Sequence, residues 1–283
     1  MGCPHSILYL SLVQKNKGLA LALLNNCNSI GLAILAPVWS QLAKNQPWQT
    51  TYKNLAIFLI ILLPLTILTL KNPDSKKSAS IPVIPSTWTM AIHSAFHTPL
   101  IKYVFSAVFV CGFSMGIIDT QLVSMMIKNQ LTTNHTGTLM SLFGIGVILG
   151  GLLVGVTSDR YQRKVTILKW LFLGRAINFP ILLLPLAPML QFTLFVLLFG
   201  FTYSGVVMLA VILIVEHTTA ATGKLLALNI LIHQFSGLLG VYLSSKLLDL
   251  FDSYFSISLI ALTLSVFVLL YALKLNTLKS NLL

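Results

Sequence analysis

Acidic side chains are nearly missing from this sequence. Six aspartates and glutamates stand against 18 lysines and arginines, and charged residues of both signs fill only 8% of 283 positions. A soluble domain carries roughly a quarter of its residues as Asp, Glu, Lys and Arg, so a water-facing globular surface is excluded. Cysteine is scarce as well. Cys3, Cys27 and Cys111 form no C-x-x-C pair, which argues against a disulfide framework and a thiolate zinc site. No glycine loop followed by lysine, no H-E-x-x-H and no G-x-S-x-G occurs. The sequence therefore offers no nucleotide-driven, metallopeptidase or serine-hydrolase chemistry, no enzyme is expected, and no cofactor is implied.

What the chain has instead is oil. Hydrophobic residues make up 56% of it, in recurring runs of about 17 to 25 residues, the reach needed to cross a hydrocarbon core. Backbone amides in lipid find no water, so such runs must be helical. The expected fold class is all-α: a polytopic membrane protein with eight transmembrane helices. They run near Gly18–Leu42, Asn54–Leu70, Tyr103–Ile127, Gly137–Thr157, Val165–Leu186, Phe192–Val215, Leu225–Leu248 and Tyr254–Leu275. The stub Ser6–Val13 is too short to span, and the start lacks the basic stretch of a secretory signal. Gly2, Cys3 and Ser6 fit a myristoylation pattern, but that pattern is loose and an acyl chain adds nothing to a polytopic chain.

Orientation follows from the basic residues. If the first span runs outward, the inner segments hold 13 lysines and arginines and the outer ones 4, with Arg175 inside a span. This bias puts both termini on the cytoplasmic side of a cell membrane. The net charge of +12 is then explained by basic loops beside anionic lipid, and nucleic acid is not an expected partner. Between the second and third spans lies a Lys-, Ser- and Pro-rich connection, residues 71–102, which reads as a cytoplasmic linker. Trp88, Met90, Ala91, Phe96 and Leu100 suggest a short interfacial helix at its end. His93 and His97 are four apart there, but no third ligand is near, so metal binding is not expected.

The charges that do occur are bunched. GVTSDRYQRK, residues 155–164, places Gly155, Asp159, Arg160, Arg163 and Lys164 in one turn between two spans. This resembles the signature loop of the major facilitator superfamily, G-x-x-x-D-[RK]-x-G-[RK]-[RK], which occurs between helices 2 and 3 and again between helices 8 and 9. Gln162 replaces the second glycine. HQFSGLLGVYLSSKLLDLFDSY, from His233, is similar to helix 11 and its following turn in the bacterial branch akin to monocarboxylate carriers. QKNKGLALALLNNCNSIG, from Gln14, is similar to the lead-in to helix 5 of the same branch. These resemblances imply that residues 1–70 end an N-terminal helical half, with part of helix 4 and helices 5 and 6. Residues 103–283 would be a C-terminal half of helices 7 to 12, so that the fold lacks its first helices. They imply a secondary transporter that moves a small solute by alternating access, with a proton or ion as possible coupling partner and a missing N-terminal half as another. The alternative is a truncated, transport-incompetent membrane protein, a gene remnant or a scaffold needing a partner.

The same resemblance implies a conformational latch made of Gly155, Asp159, Arg163 and Glu216. Gly155 would admit a neighbouring helix, while Asp159 would accept from a helix N-terminus and pair with Arg163. Arg160 and Lys164 read as topology anchors. Substrate and cavity candidates are polar residues inside spans: Asn25, Asn28, Asp119, Gln121, Asn229, His233 and Gln234. Asn229, His233, Ser236, Gly240 and Ser244 share one helical stripe, which either faces the transport path or bonds to a neighbouring helix. Asp119 is the acidic residue placed inside a span; deep in the span it is the candidate proton carrier, and near the outer surface it is simply solvated. Arg175 is expected on a mostly lipid-facing helix, snorkelling or in an ion pair. The glycines Gly146, Gly150, Gly151 and Gly155 read as a close-packing face.

Orientation is directly measurable. In a chain otherwise free of cysteine, Asp252→Cys should react with a membrane-impermeant thiol reagent in intact cells, and Gln162→Cys should not. The reverse labelling pattern would invert the topology.

Overall fold

The computed structural model describes residues 17–69, 87–161, 163–218 and 221–280. The stub at residues 6–13, the Gly2–Cys3 pattern, residues 71–86 of the expected linker and Gln162 lie outside the described residues.

Every described element is a helix, in the order α1 (Lys17–Asn45), α2 (Trp48–Thr69), α3 (Trp88–His97), α4 (Pro99–Lys128), α5 (Thr133–Arg160), α6 (Lys164–Ile181), α7 (Pro188–Tyr203), α8 (Gly205–His217), α9 (Thr222–Phe251) and α10 (Phe255–Ser280). The ends follow local chemistry. Pro99 and Pro188 open α4 and α7, where a missing N–H costs nothing. Thr87 caps α3, its hydroxyl accepting from Met90 N at 3.2 Å. The amphipathic α3 buries Ala91 and Ala95 and leaves Trp88, Met90 and Phe96 exposed, the division expected of an interfacial helix. His93 and His97 stack on it at 3.9 Å. Asp252 ends α9 with a left-handed φ of 46°, tolerated because Asp is short and polar, and Lys128 at the end of α4 clasps its carboxylate and its carbonyl.

Seven segments are long and apolar enough to cross a membrane among the described residues. Two of the eight expected spans differ in more than their ends. The one expected at Val165–Leu186 is the 18-residue helix α6, which stops at Ile181, one residue past Pro180. It carries Lys164, Lys169 and Arg175, more charge than the seven apolar segments, so it falls outside that count although it packs inside the bundle against α7 and α10. The one expected at Phe192–Val215 lengthens to Pro188–His217 and breaks at Ser204 into α7 and α8.

Helices approach through small residues, as they must when lipid is as apolar as leucine. Antiparallel α1 and α5 touch along their length, from Gly18 against Gly155 at one end to Ser40 against Gly137 near the other. Parallel α4 and α9 meet at Gly112, Gly116 and Gly240, and a methyl on Gly116 would run into the Gly237 carbonyl and lie 2.9 Å from its Cα. The expected glycine face of α5 serves two neighbours: Gly146 and Gly150 abut α7, while Gly151 meets Asn26 of α1 and Ser204 at the helix break. In contrast, α2 touches only α1 among the described helices. The apolar core forms two clusters. One contains Val104, Leu168, Phe172, Val206 and Leu225. The other contains Ile117, Phe143, Phe179, Phe195 and Phe199.

The close α4–α9 contact is testable by a single methyl. Gly116→Ala forces two backbones apart and should destabilise the detergent-solubilised protein by roughly 1–3 kcal/mol. Gly31→Ala, where nothing lies within 4 Å of the added carbon, should be neutral or stabilising by up to about 1 kcal/mol. Equal thermal midpoints for the two variants would contradict the packing.

Candidate functional site

Two polar assemblies interrupt the apolar bundle. The first sits where α5 ends. Its carboxylate, Asp159, reaches across to the start of α1: Gly18 N donates to Oδ1 at 2.7 Å and Leu19 N to Oδ2 at 2.9 Å. These are first-turn amides with no partner inside their own helix, and they face a negative charge at the positive end of the helix dipole. Glycine is needed on both sides. A Cβ on Gly18 would lie 2.6 Å from the Gly155 carbonyl, and one on Gly155 would lie 2.8 Å from the Ala22 Cβ.

The rest of the charge cluster is wired differently from expectation. Arg163, expected to pair with Asp159, makes no ion pair among the described residues. Lys164 instead holds Glu216 at 3.0 Å, joining the start of α6 to the end of α8. The Asp159 carboxylate has both oxygens engaged by α1 amides, which fill the positions where an arginine fork would dock. Lys164 is thus more than a topology anchor.

The second assembly lies between the two apolar clusters. Asp119 is exposed on α4 and accepts from the Tyr203 hydroxyl at 2.8 Å on each oxygen. Tyr203 is the last residue of α7, beside the break. Half-buried His233 of α9 lies within electrostatic reach of Asp119, beside the Cys111 thiol, with Nδ1 3.3 Å from Gln234 Oε1. Arg175 is 0% exposed, so the expected lipid-facing, snorkelling arginine is corrected to one inside the bundle. It has no carboxylate partner among the described residues. Its Nη2 donates to the carbonyls of Thr202 at 3.1 Å and Tyr203 at 3.2 Å and to Cys111 Sγ at 3.3 Å. Its guanidinium also lies over Phe199, 5.3 Å from the ring centre.

The remaining candidates divide by burial. Asn25, Asn28 and Gln234 are exposed. Their neighbour Asn26, not singled out by sequence, is buried and donates to the Ile148 carbonyl at 3.1 Å, joining α1 to α5. Gln121 is buried and donates to Ser245 Oγ at 3.3 Å, joining α4 to α9. Asn229, Ser236 and Ser244 are also buried. The α9 stripe is therefore its packing face toward α4, where Gly112 lies against His233 and Ser236. A polar stripe alone cannot distinguish a cavity wall from a helix–helix seam, because both reward small and hydrogen-bonding residues. The sequence reading missed Tyr203 altogether. Its only signal was the following Ser204-Gly205 pair, a dipeptide at which helices kink.

Comparisons with known proteins agree with this architecture. The profile of the Major Facilitator Superfamily matches residues 104–281. The chain is 36% identical over 245 residues to the uncharacterized MFS-type transporter YcxA of Bacillus subtilis strain 168, a match covering 84% of this chain. It spans 59% of that relative's length.

Proposed function

Since the chain belongs to the major facilitator superfamily, we propose that it works in a secondary transporter, moving a small solute by alternating access with a gradient as the driving force. The observation that carries this reading is the Asp119–Tyr203 pair, an exposed carboxylate on a span with a hydroxyl on both of its oxygens. A charged group at that depth is costly unless it works, which makes it the natural proton carrier. Exposed Gln234, half-buried His233, and exposed Asn25 and Asn28 of α1 supply hydrogen-bonding groups for a solute. Arg175 is fully buried and gives an anionic solute no counter-charge.

In this reading residues 1–70 belong to one half, residues 71–102 link the halves, and residues 103–283 form the other; the family match over residues 104–281 supports the last division. The α1–α5 contact is then the seam between halves. Asp159 on the α1 amides is its latch at the cytoplasmic end, and Lys164–Glu216 stiffens the same end within the second half. Both termini lie on the cytoplasmic side of a cell membrane. The partners are a small solute, a coupling proton, the bilayer and further N-terminal helices of the same fold.

Proteoliposomes with an entrapped pH dye, screened against small solutes, should report solute-dependent proton movement. Asp119→Asn cannot carry a proton through the cycle. It should abolish proton movement and flatten the pH dependence, while solute counterflow, which moves no net proton, survives. Proton movement by this variant with an unchanged pH profile would remove Asp119 from the mechanism and make His233, whose unperturbed pKa is near neutral, the next carrier to test.

A further inference from the structure

We infer that Arg175 is the positioning residue of this site: by filling the break between α7 and α8 it holds Tyr203 where its hydroxyl meets Asp119. The inference deepens the reading of Asp119 as coupling carboxylate and rests on it for its consequence, though not for its test.

The argument begins with the break. A continuous helix would return the amides of Val206 and Val207 to the carbonyls of Thr202 and Tyr203. Neither bond is present among the described residues; the ladder resumes with Met208 N on Ser204 O at 3.3 Å. Two carbonyls at the negative end of α7 are thus released deep in an apolar bundle, where an unsatisfied backbone group is expensive. Arg175 Nη2 takes both, at 3.1 and 3.2 Å. No other cation is placed to do so: among the described residues Arg175 is the one fully buried basic side chain.

The same guanidinium is fixed from three further sides. Cys111 of α4 accepts from it at 3.3 Å, and Phe172 and Phe199 lie 5.8 and 5.3 Å from it. Arg175 therefore ties α6, α4 and the α7 terminus to one point. Tyr203 belongs to that point through its carbonyl and to Asp119 through its hydroxyl. Arg175 holds the Tyr203 backbone at its carbonyl, and this sets where the side chain starts and hence where its hydroxyl reaches Asp119. If Arg175 is removed, the released carbonyls can recapture Val206 and Val207, the helix straightens through Ser204, and Tyr203 turns with it.

Infrared spectroscopy of the purified chain in lipid nanodiscs reads this coupling without a substrate. The Asp119 carboxyl band is identified by its loss in Asp119→Asn. Tyr203→Phe should shift that band, Arg175→Gln should shift it to the same position, and the double variant should add nothing, as expected of two residues acting through one bond. Arg175→Lys keeps the charge and guards against misfolding; it reaches fewer acceptors and should shift the band in the same direction by less. A wild-type band position in folded Arg175→Gln or Arg175→Lys, additive shifts in the double variant, or no shift in Tyr203→Phe would each overturn the inference. Shared, non-additive shifts combined with intact proton movement in Asp119→Asn would keep the positioning role and sink the coupling reading alone.

Discussion

The contact on which the described bundle turns is the one between the Asp159 carboxylate and the first amides of α1. Helix α1 is bound mainly along one face to α5, and among the described helices α2 is reached only through α1. Without that seam the first two helices have little hold on the rest. The seam is built from complementary small residues at Gly18–Gly155, Ala33–Gly144 and Ser40–Gly137. Polar bridges from Asn26 to Ile148 and from Ser141 to Ala33 run beside them. Close packing supplies area and fixes spacing, but glycine contacts can slide. A carboxylate that takes two amides fixes register and end-point together. It is also reversible, because both partners can be satisfied by water when they part, as the proposed alternating access would require.

Deeper in the bundle the governing constraint is that lipid satisfies no polar group. The break at Ser204 frees carbonyls, and Arg175, the one buried arginine among the described residues, takes two of them. A buried cation without a carboxylate partner is unusual. Here it is met by backbone carbonyls at a helix C-terminus, a thiol and two aromatic rings, all of which carry partial negative charge toward it. Asp119 makes no ion pair among the described residues and is bonded by a neutral hydroxyl instead, with His233 within electrostatic reach. That distinguishes it from Asp252, which is clasped by Lys128 at the end of α4 and serves structure.

Much of this was legible in the sequence. Long apolar runs can only be helices in lipid, so the fold class and most spans followed from hydropathy, and the G-x-x-x-D-R-x-x-R-K turn identified the family and the capping role of Asp159. The interior was less legible, for a physical reason. Helical period says which residues share a face but not what the face meets, so the α9 stripe of Asn229, Ser236 and Ser244 read equally as cavity or seam and is the seam. Arg175 looked like a lipid-facing anomaly because its partners, two carbonyls freed by a break 27 and 28 residues away, have no side-chain signature. Lys164–Glu216 was hidden for a similar reason: several basic residues compete for each acid, and helix-end geometry decides among them.

The central claim, that Asp159 holds the start of α1, is tested most directly by hydrogen exchange at the amides of Gly18 and Leu19. Substituting Asp159→Asn removes the charge and one acceptor oxygen. Because a hydrogen bond to a charged group contributes on the order of 1.5–3 kcal/mol, exchange there should accelerate about tenfold or more. Arg163→Gln, which touches neither amide, should leave their exchange unchanged. Unaltered protection of Gly18 and Leu19 in Asp159→Asn would contradict the account.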